Sequence, residues 1–409
     1  MIMANQLFKP CGPTTGSIFA TALVLGLMSC GASDTPTPEP AYAQSEPVTV
    51  TEEAPAAEAL WSEAQLVVLE RWVSNAPAYA LPVLSTRNLD TARTTGDSAA
   101  TDAEATELAL DLARMHLLGT ASVSERKGWH ITDTDAAVEL PALLEDALTR
   151  DDLENFFKSL QPTNPDYAAL RKAYANETDP ARRDTIARNL ERWRWMPRSL
   201  GGSYVLVNQA AFEASLWRDG KREKTWRVIV GKPSTPSPVF STTITGVTFN
   251  PWWNIPASIV REMKGRFPAS KGYVRTANGW AQKPGPGNAL GQMKLVMPNP
   301  FSVYMHDTPG KSLFEKDVRA FSHGCIRTGD AIDYGLTLLD GKVTRAEVDA
   351  ILASRKTTTI ALPRKLPVYI TYFTAGTRGD GRLEVFPDIY GRDGRVKAAQ
   401  LPAGFVCEE

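Results

Sequence analysis

"FEASLWRDGKREKTWRVIVG" (Phe212–Gly231) alternates apolar and polar residues on both sides of Asp219-Gly220. A period of two is the mark of a strand with one buried face. Asp-Gly between two such runs suits the positive φ angles of a two-residue hairpin turn. The segment therefore predicts a β-hairpin, and it sits just past the point, near residue 201, where the helical period gives out. Around it, "SYVLVNQ" (203–209), "TTITGVTFNP" (242–251), "GQMKLVMP" (291–298), "FSVYMHD" (301–307), "LPVYITYFTA" (366–375) and "GRLEVFPD" (381–388) read as further strands. Two helices interrupt them. "DAIDYGLTLLDG" (330–341) carries Asp330 and Asp333 at capping-box spacing and stops at Gly341, and "TRAEVDAILASR" (344–355) follows. "KGYVRTANGWAQKPGPGNALG" (271–291) has no period and reads as a long loop, with a lid expected over 264–291.

Upstream the pattern is helical. "EATELALDLARMHLLG" (104–119) spaces Leu108, Leu112 and Met115/His116 by three and four and ends at Gly119, a helix stop. "ELPALLEDALTRDDLENFFKSLQP" (139–162) and "DYAALRKAYAN" (166–176) are further amphipathic segments. "DPARRDTIARNLERWRWMP" (179–197) opens on a cap and first-turn proline and ends before Pro197. Trp193 and Trp195 in it are expected to serve packing between domains. The chain is thus an α+β protein: a helical scaffold domain over 58–200, a mostly-β domain over 201–376, and a C-terminal extension over 377–409.

Composition is that of a globular protein, 43% hydrophobic and 22% charged. A formal net charge of −1 and the lack of any basic run argue against a nucleic-acid partner. "GSIFATALVLGLMSC" (16–30) has the length of a signal-peptide core, too short to span a bilayer comfortably, behind a single Lys9. Its end, Leu27-Met28-Ser29-Cys30, resembles the lipobox of bacterial lipoproteins, which would put a lipid on Cys30 and anchor the chain to a membrane. Cleavage after "AYA" (41–43) is the alternative, and both readings export the protein to the periplasm. Residues 31–57, rich in Pro, Thr, Glu and Ala, read as a disordered tether. Of four cysteines, Cys11 and Cys30 fall in the signal segment, leaving Cys325 and Cys407. In an oxidising compartment these read either as one disulfide or as a reactive thiol, Cys407 being near a polar terminus.

Two of the four histidines, His306 and His323, stand close in sequence to Cys325. His306 ends a strand-like run, and the loop after it is long enough to return the chain beside it. A thiol nucleophile needs a base or cation to hold it as thiolate, and histidine is the usual partner. Gly324 allows close backbone approach, and the N–H groups around Gly324 and Cys325 suit an oxyanion hole. A zinc site from His306, Asp307, His323 and Cys325 has acceptable ligand types but poor chelate spacing, so no metal or other cofactor is expected. A buried cysteine with two packed histidines is the third reading that spacing leaves open. His116 and His130, each alone, are assigned no role.

"HDTPGKSLFEKDVRAFSHGCIR" (306–327) resembles the catalytic motif of the L,D-transpeptidases, the YkuD-domain family: a His, a gap, then Ser/Thr-His-Gly-Cys. "WRVIVGKPSTPSPVFS" (226–241), "NPWWNIPASIV" (250–260), "PGPGNALGQMKLVMPNPFSVYMHDTP" (284–309) and "NLERWRW" (189–195) support the large periplasmic branch of that family. The resemblance implies a YkuD-type catalytic domain acting on peptidoglycan stem peptides through a thioester on Cys325, giving 3→3 cross-links. It implies His306 as general base, with a backbone carbonyl at Asp307 orienting it. His323 and Gly324 would shape the oxyanion side, Ser322 would fill the Ser/Thr position, and Arg327 would meet a substrate carboxylate. Tyr304, Asn288 and Trp252 would line the cleft. An L,D-carboxypeptidase or amidase using the same thioester, or a non-catalytic wall-binding lipoprotein, are the competing functions. Large members usually carry a peptidoglycan-binding module ahead of "NLERWRW"; here only "ANETDPARRDTIAR" (175–188) separates it from the preceding helix.

Overall fold

The computed structural model describes residues 60–378 and 380–398. The expected signal segment, the whole tether, Cys30 and Cys407 lie outside them. In the helical half, α1 (Glu63–Ser74), α2 (Arg87–Thr95) and α3 (Ser98–Leu118) precede a short strand, β1 (Trp129–His130). Four more helices follow: α4 (Leu140–Thr149), α5 (Leu153–Ser159), α6 (Pro165–Asn176) and α7 (Pro180–Trp193). Their ends are written in the sequence. Ser62 and Gln65 form a reciprocal capping box on α1, and the Asp179 carboxylate takes the Ala181 and Arg182 amides of α7. Leu66, Leu69, Leu112, Leu144 and Phe157 gather the first five helices around one apolar core.

The second half begins with β2 (Ser203–Asn208), β3 (Glu213–Arg218), β4 (Lys221–Gly231) and β5 (Val239–Phe249). The Asp219-Gly220 turn joins β3 to β4 with both residues at positive φ, as the quoted stretch predicts. Next come β6 (Trp253–Asn254), α8 (Ala257–Glu262), β7 (Tyr273–Thr276), β8 (Gly279–Gln282) and β9 (Met293–Val296). The remainder are β10 (Met305–His306), β11 (Ala320–Ser322), β12 (Ile326–Thr328), α9 (Ala331–Leu339), α10 (Arg345–Ser354), β13 (Thr358–Thr371), β14 (Ala375–Thr377) and β15 (Leu383–Val385). The main sheet runs β5-β13-β2-β3-β4-β12-β10-β9, and β9 also pairs with β5, so the sheet closes on itself. Val205, Val207, Leu216, Val228, Met305 and Ile326 fill its interior together with Tyr334 and Leu338 of α9. On the outer face, α6 and α7 cover β2 and β3: Trp193 stacks on Phe373 at 4.6 Å, and Trp195 meets Trp129 edge-on at 5.2 Å.

Two local expectations are corrected. The Asp330–Asp333 capping box does not form: Asp330 sits at φ +44° and gives no side-chain cap to α9. The Asp333 carboxylate is drawn instead to Lys224 at 2.8 Å and the Trp226 indole at 2.9 Å. The 271–291 segment is also not all loop, because β7 and β8 form a hairpin that pairs with β6.

Candidate active site

β10 and β12 run parallel, with Met305 opposite Ile326 and His306 opposite Arg327. Met305 and Ile326 are fully buried in the interior. Alternation then puts His306 and Arg327 on the other face, and one step back along both strands it puts Tyr304 and Cys325 there too. β9 adds Lys294, directly opposite His306. Three neighbouring strands thus carry five chemistry-bearing side chains on one surface. The Lys294 Nζ stands 4.0 Å from the centre of the Tyr304 ring, which meets the His306 ring at 5.6 Å.

His306 is buried, and its Nδ1 donates to the Asp307 carbonyl. A carbonyl can only accept, so the proton of the neutral ring belongs on Nδ1. Burial, with the Arg327 and Lys294 charges adding to it, lowers the His306 pKa to about 3, against the pull of the Asp307 and Leu290 carbonyls. The Asp307 carboxylate accepts from the Gln292 amide at 2.9 Å and pairs with Lys311. A Cβ on Gly291 would come within 2.3 Å of that carboxylate, so only glycine fits at 291.

The nucleophile loop is tied from within by Ser322, whose hydroxyl donates to the Cys325 carbonyl and accepts from the Gly324 amide at 3.1 Å. From outside, the Lys232 amide and the Thr235 hydroxyl hold the Ser322 carbonyl at 2.9 and 3.2 Å. Gly324 sits at φ +111°, a conformation that disfavours any side chain. Burial pushes the Cys325 thiol up, while contact with Tyr304 and the charges of Lys294 and Arg327 pull it back. Among the described residues no protein group accepts the Cys325 N–H. Neither Lys294 nor Arg327 has an acidic partner there, although burial disfavours the charge on both.

The remaining candidates fall in different places. The His323 imidazole points away to Glu262 of α8, with Nε2 at 2.9 Å from the carboxylate. Trp252 is 44% exposed and lines a groove of about 420 Å³ with Lys294 and Tyr304. Asn288 does not line the cleft. It is 1% exposed, and its side chain is engaged by the Pro251, Gln282 and Lys283 carbonyls and the Leu290 amide, so it shapes the loop. Among the described residues no three His, Cys, Asp or Glu side chains converge as a metal site would require. Lys294 was not singled out from the sequence. Its signal is a lone cation between buried Met293 and Leu295 in "QMKLV".

A buried thiol, an uncharged imidazole, a free amide donor and two unpaired cations suit acyl transfer from a substrate that carries carboxylates. Comparison with known proteins bears on the same residues. Residues 202–345 match the family described as the L,D-transpeptidase catalytic domain (YkuD), and residues 48–173 match a scaffold domain. A Haemophilus influenzae protein whose name assigns it to the L,D-transpeptidases is 29% identical over 245 residues, covering 53% of this chain and 49% of the relative. The chain therefore spans about half the length of the curated relative it matches. Among solved structures, an L,D-transpeptidase from Mycobacterium smegmatis overlaps 42% of this chain and 58% of its own at 15% identity and a TM-score of 0.23. One from Mycobacterium tuberculosis overlaps 42% and 57% at 11% identity and a TM-score of 0.23.

Proposed function

Starting from a chain that carries a YkuD-type L,D-transpeptidase catalytic domain and a scaffold domain, we propose that it is an exported peptidoglycan L,D-transpeptidase acting through a thioester on Cys325. The observation that carries this reading is the shared face of β9, β10 and β12, which sets Cys325 and His306 beside two cations with no acidic partner among the described residues. A donor stem peptide ending in D-Ala brings carboxylates to Lys294 and Arg327. The Cys325 sulfur attacks the carbonyl before that D-Ala, and its proton passes to His306. The oxyanion forms against the free Cys325 N–H. His306 returns the proton to the departing D-Ala amine as the C–N bond breaks, leaving a thioester. The side-chain amine of a second stem then attacks, a proton passes back through His306 to sulfur, and an amide cross-link replaces the thioester.

At rest the thiol and the imidazole are both uncharged, so proton transfer belongs to the attack step. Substrate carboxylates beside Arg327 and Lys294 offset the charges that depress His306, making it a better base when the donor is bound. In this reading Ser322 and Gly324 shape the loop, Trp252 and Tyr304 wall the groove, and export to the periplasm supplies the substrate. The test is incubation of the purified protein with disaccharide-tetrapeptide and analysis of products by mass. A cross-linked dimer that disappears in Cys325→Ala is the expected result. A tripeptide alone would make the enzyme a carboxypeptidase, and turnover by Cys325→Ala would overturn the mechanism.

A further inference from the structure

The Gly324–Cys325 peptide is held by its carbonyl. The Ser237 hydroxyl donates to the Gly324 oxygen at 2.7 Å and itself accepts from the Gly231 amide at 3.0 Å. A trans peptide is planar, so its C=O and N–H point in opposite directions. Anchoring the Gly324 carbonyl on Ser237 therefore aims the Cys325 N–H the other way, and that N–H is a donor left without a protein partner among the described residues. Ser237 is fully buried, in a loop folded so tightly that a Cβ on Gly231 would lie 2.2 Å from the Thr235 oxygen.

Ser237 is gripped in turn by the C-terminal segment. The Tyr390 hydroxyl donates to the Gly231 carbonyl at 2.7 Å and accepts from the Ser237 amide at 3.4 Å. Arg392 reaches the Ser237 carbonyl at 3.2 Å. The Asp388 carboxylate shapes this hook by accepting from the Arg392 and Asp393 amides, both at 2.9 Å. Asp393 binds Arg192 of α7 at 2.7 Å. A chain of hydrogen bonds thus runs from the scaffold through the hook and Ser237 to the peptide of the nucleophile.

We propose that Ser237, braced by Tyr390 and Arg392, is a positioning residue that aims the Cys325 N–H at the oxyanion of the acyl-transfer step. The proposal rests on the reading of Cys325 as the acylated nucleophile. It predicts a separation of two reactions of the same sulfur. Acylation by a stem peptide develops an oxyanion and needs the aimed N–H. Alkylation by iodoacetamide is a displacement at saturated carbon and develops none.

The experiment measures both rates in the full chain for wild type, Ser237→Ala, Tyr390→Phe and Cys325→Ala, with circular dichroism to confirm folding. Ser237→Ala is expected to slow kcat by about 10- to 100-fold, less than loss of an oxyanion donor itself, with KM and the alkylation rate within about twofold of wild type. Tyr390→Phe is expected to shift in the same sense by a smaller factor. Equal loss of acylation and alkylation would make Ser237 a support for the fold and overturn the proposal, as would no loss of either. Acylation surviving in Cys325→Ala would instead overturn the reading beneath it, so the two failures are told apart.

Discussion

His306 is a base kept uncharged far below the pH at which an ordinary histidine titrates, because it is buried and faces Arg327 and Lys294. The sign of the consequence follows. A base must be unprotonated to act, so activity is lost only as pH falls through the depressed value, near 3, and not through 6.5. The pH profile of kcat/KM, which reports the free enzyme, should be flat on its acid side from pH 7 down to at least 5. Lys294→Met removes one cation and raises the proton affinity of the ring, so its acid limb should move upward. A wild-type limb near 6.5 would contradict this electrostatic account. Cys325 and His306 were legible in the sequence because a rare thiol and a rare imidazole cluster there. Lys294 and Ser237 were not, because each is a common residue made special by strand register or by a loop closing from far along the chain.

At the scale of elements, β6, β7 and β8 with α8 form a flap that has its own apolar cluster of Trp253, Ile255, Phe267 and Leu290. The flap touches the site through Glu262 and His323. Its hairpin was missed because glycine and proline on both sides mask a four-residue strand, although Asn278-Gly279 was the available turn signal. The Asp330–Asp333 box failed for a different reason: a buried indole and an exposed lysine on β4 competed for the carboxylate, and tertiary contact won over local capping. Phe267 lies tilted against Trp280 at 4.7 Å and meets Tyr273 edge-on at 5.2 Å, so it holds the flap together. Phe267→Ala should weaken the flap by about 3 kcal/mol. The barrel interior is a separate cluster, so the main melting transition should move little. Faster proteolysis confined to 257–283 is expected. An open flap admits water to the thioester, so the ratio of tripeptide to cross-linked dimer should rise. An unchanged ratio together with unchanged proteolysis would remove the flap from the mechanism.

Over the whole molecule, the change of period near residue 201 made the division into helical and β-rich halves readable, but closure of the sheet through β5 and β9 was not. That pairing joins strands far apart in sequence, and no local pattern records it. The joint between the halves was readable only as "NLERWRW", a run of charges and tryptophans whose partners are remote. In the structure Glu191 lies fully buried and accepts from the Thr120 and Ala121 amides at 2.7 and 2.8 Å, the Trp195 indole at 3.0 Å and Arg194 at 3.3 Å. Arg194 continues to the Tyr79 carbonyl and the Tyr167 hydroxyl. Gly119 ends α3 where a Cβ would strike the Glu191 carboxylate at 2.4 Å, so the helix stop seen in the sequence is also the opening that admits this side chain. Glu191→Ala would strand a buried guanidinium and two amides, a loss on the order of 3–5 kcal/mol. Glu191→Gln keeps an acceptor for the amides and should lose less. Because the groups left without a partner join the helical core to α7, differential scanning calorimetry of Glu191→Ala should show the helical half melting ahead of the barrel. Iodoacetamide should still alkylate Cys325 at the wild-type rate below that first transition, since no group in this joint touches the nucleophile loop. One unshifted transition would mean that the joint is not what couples the two halves.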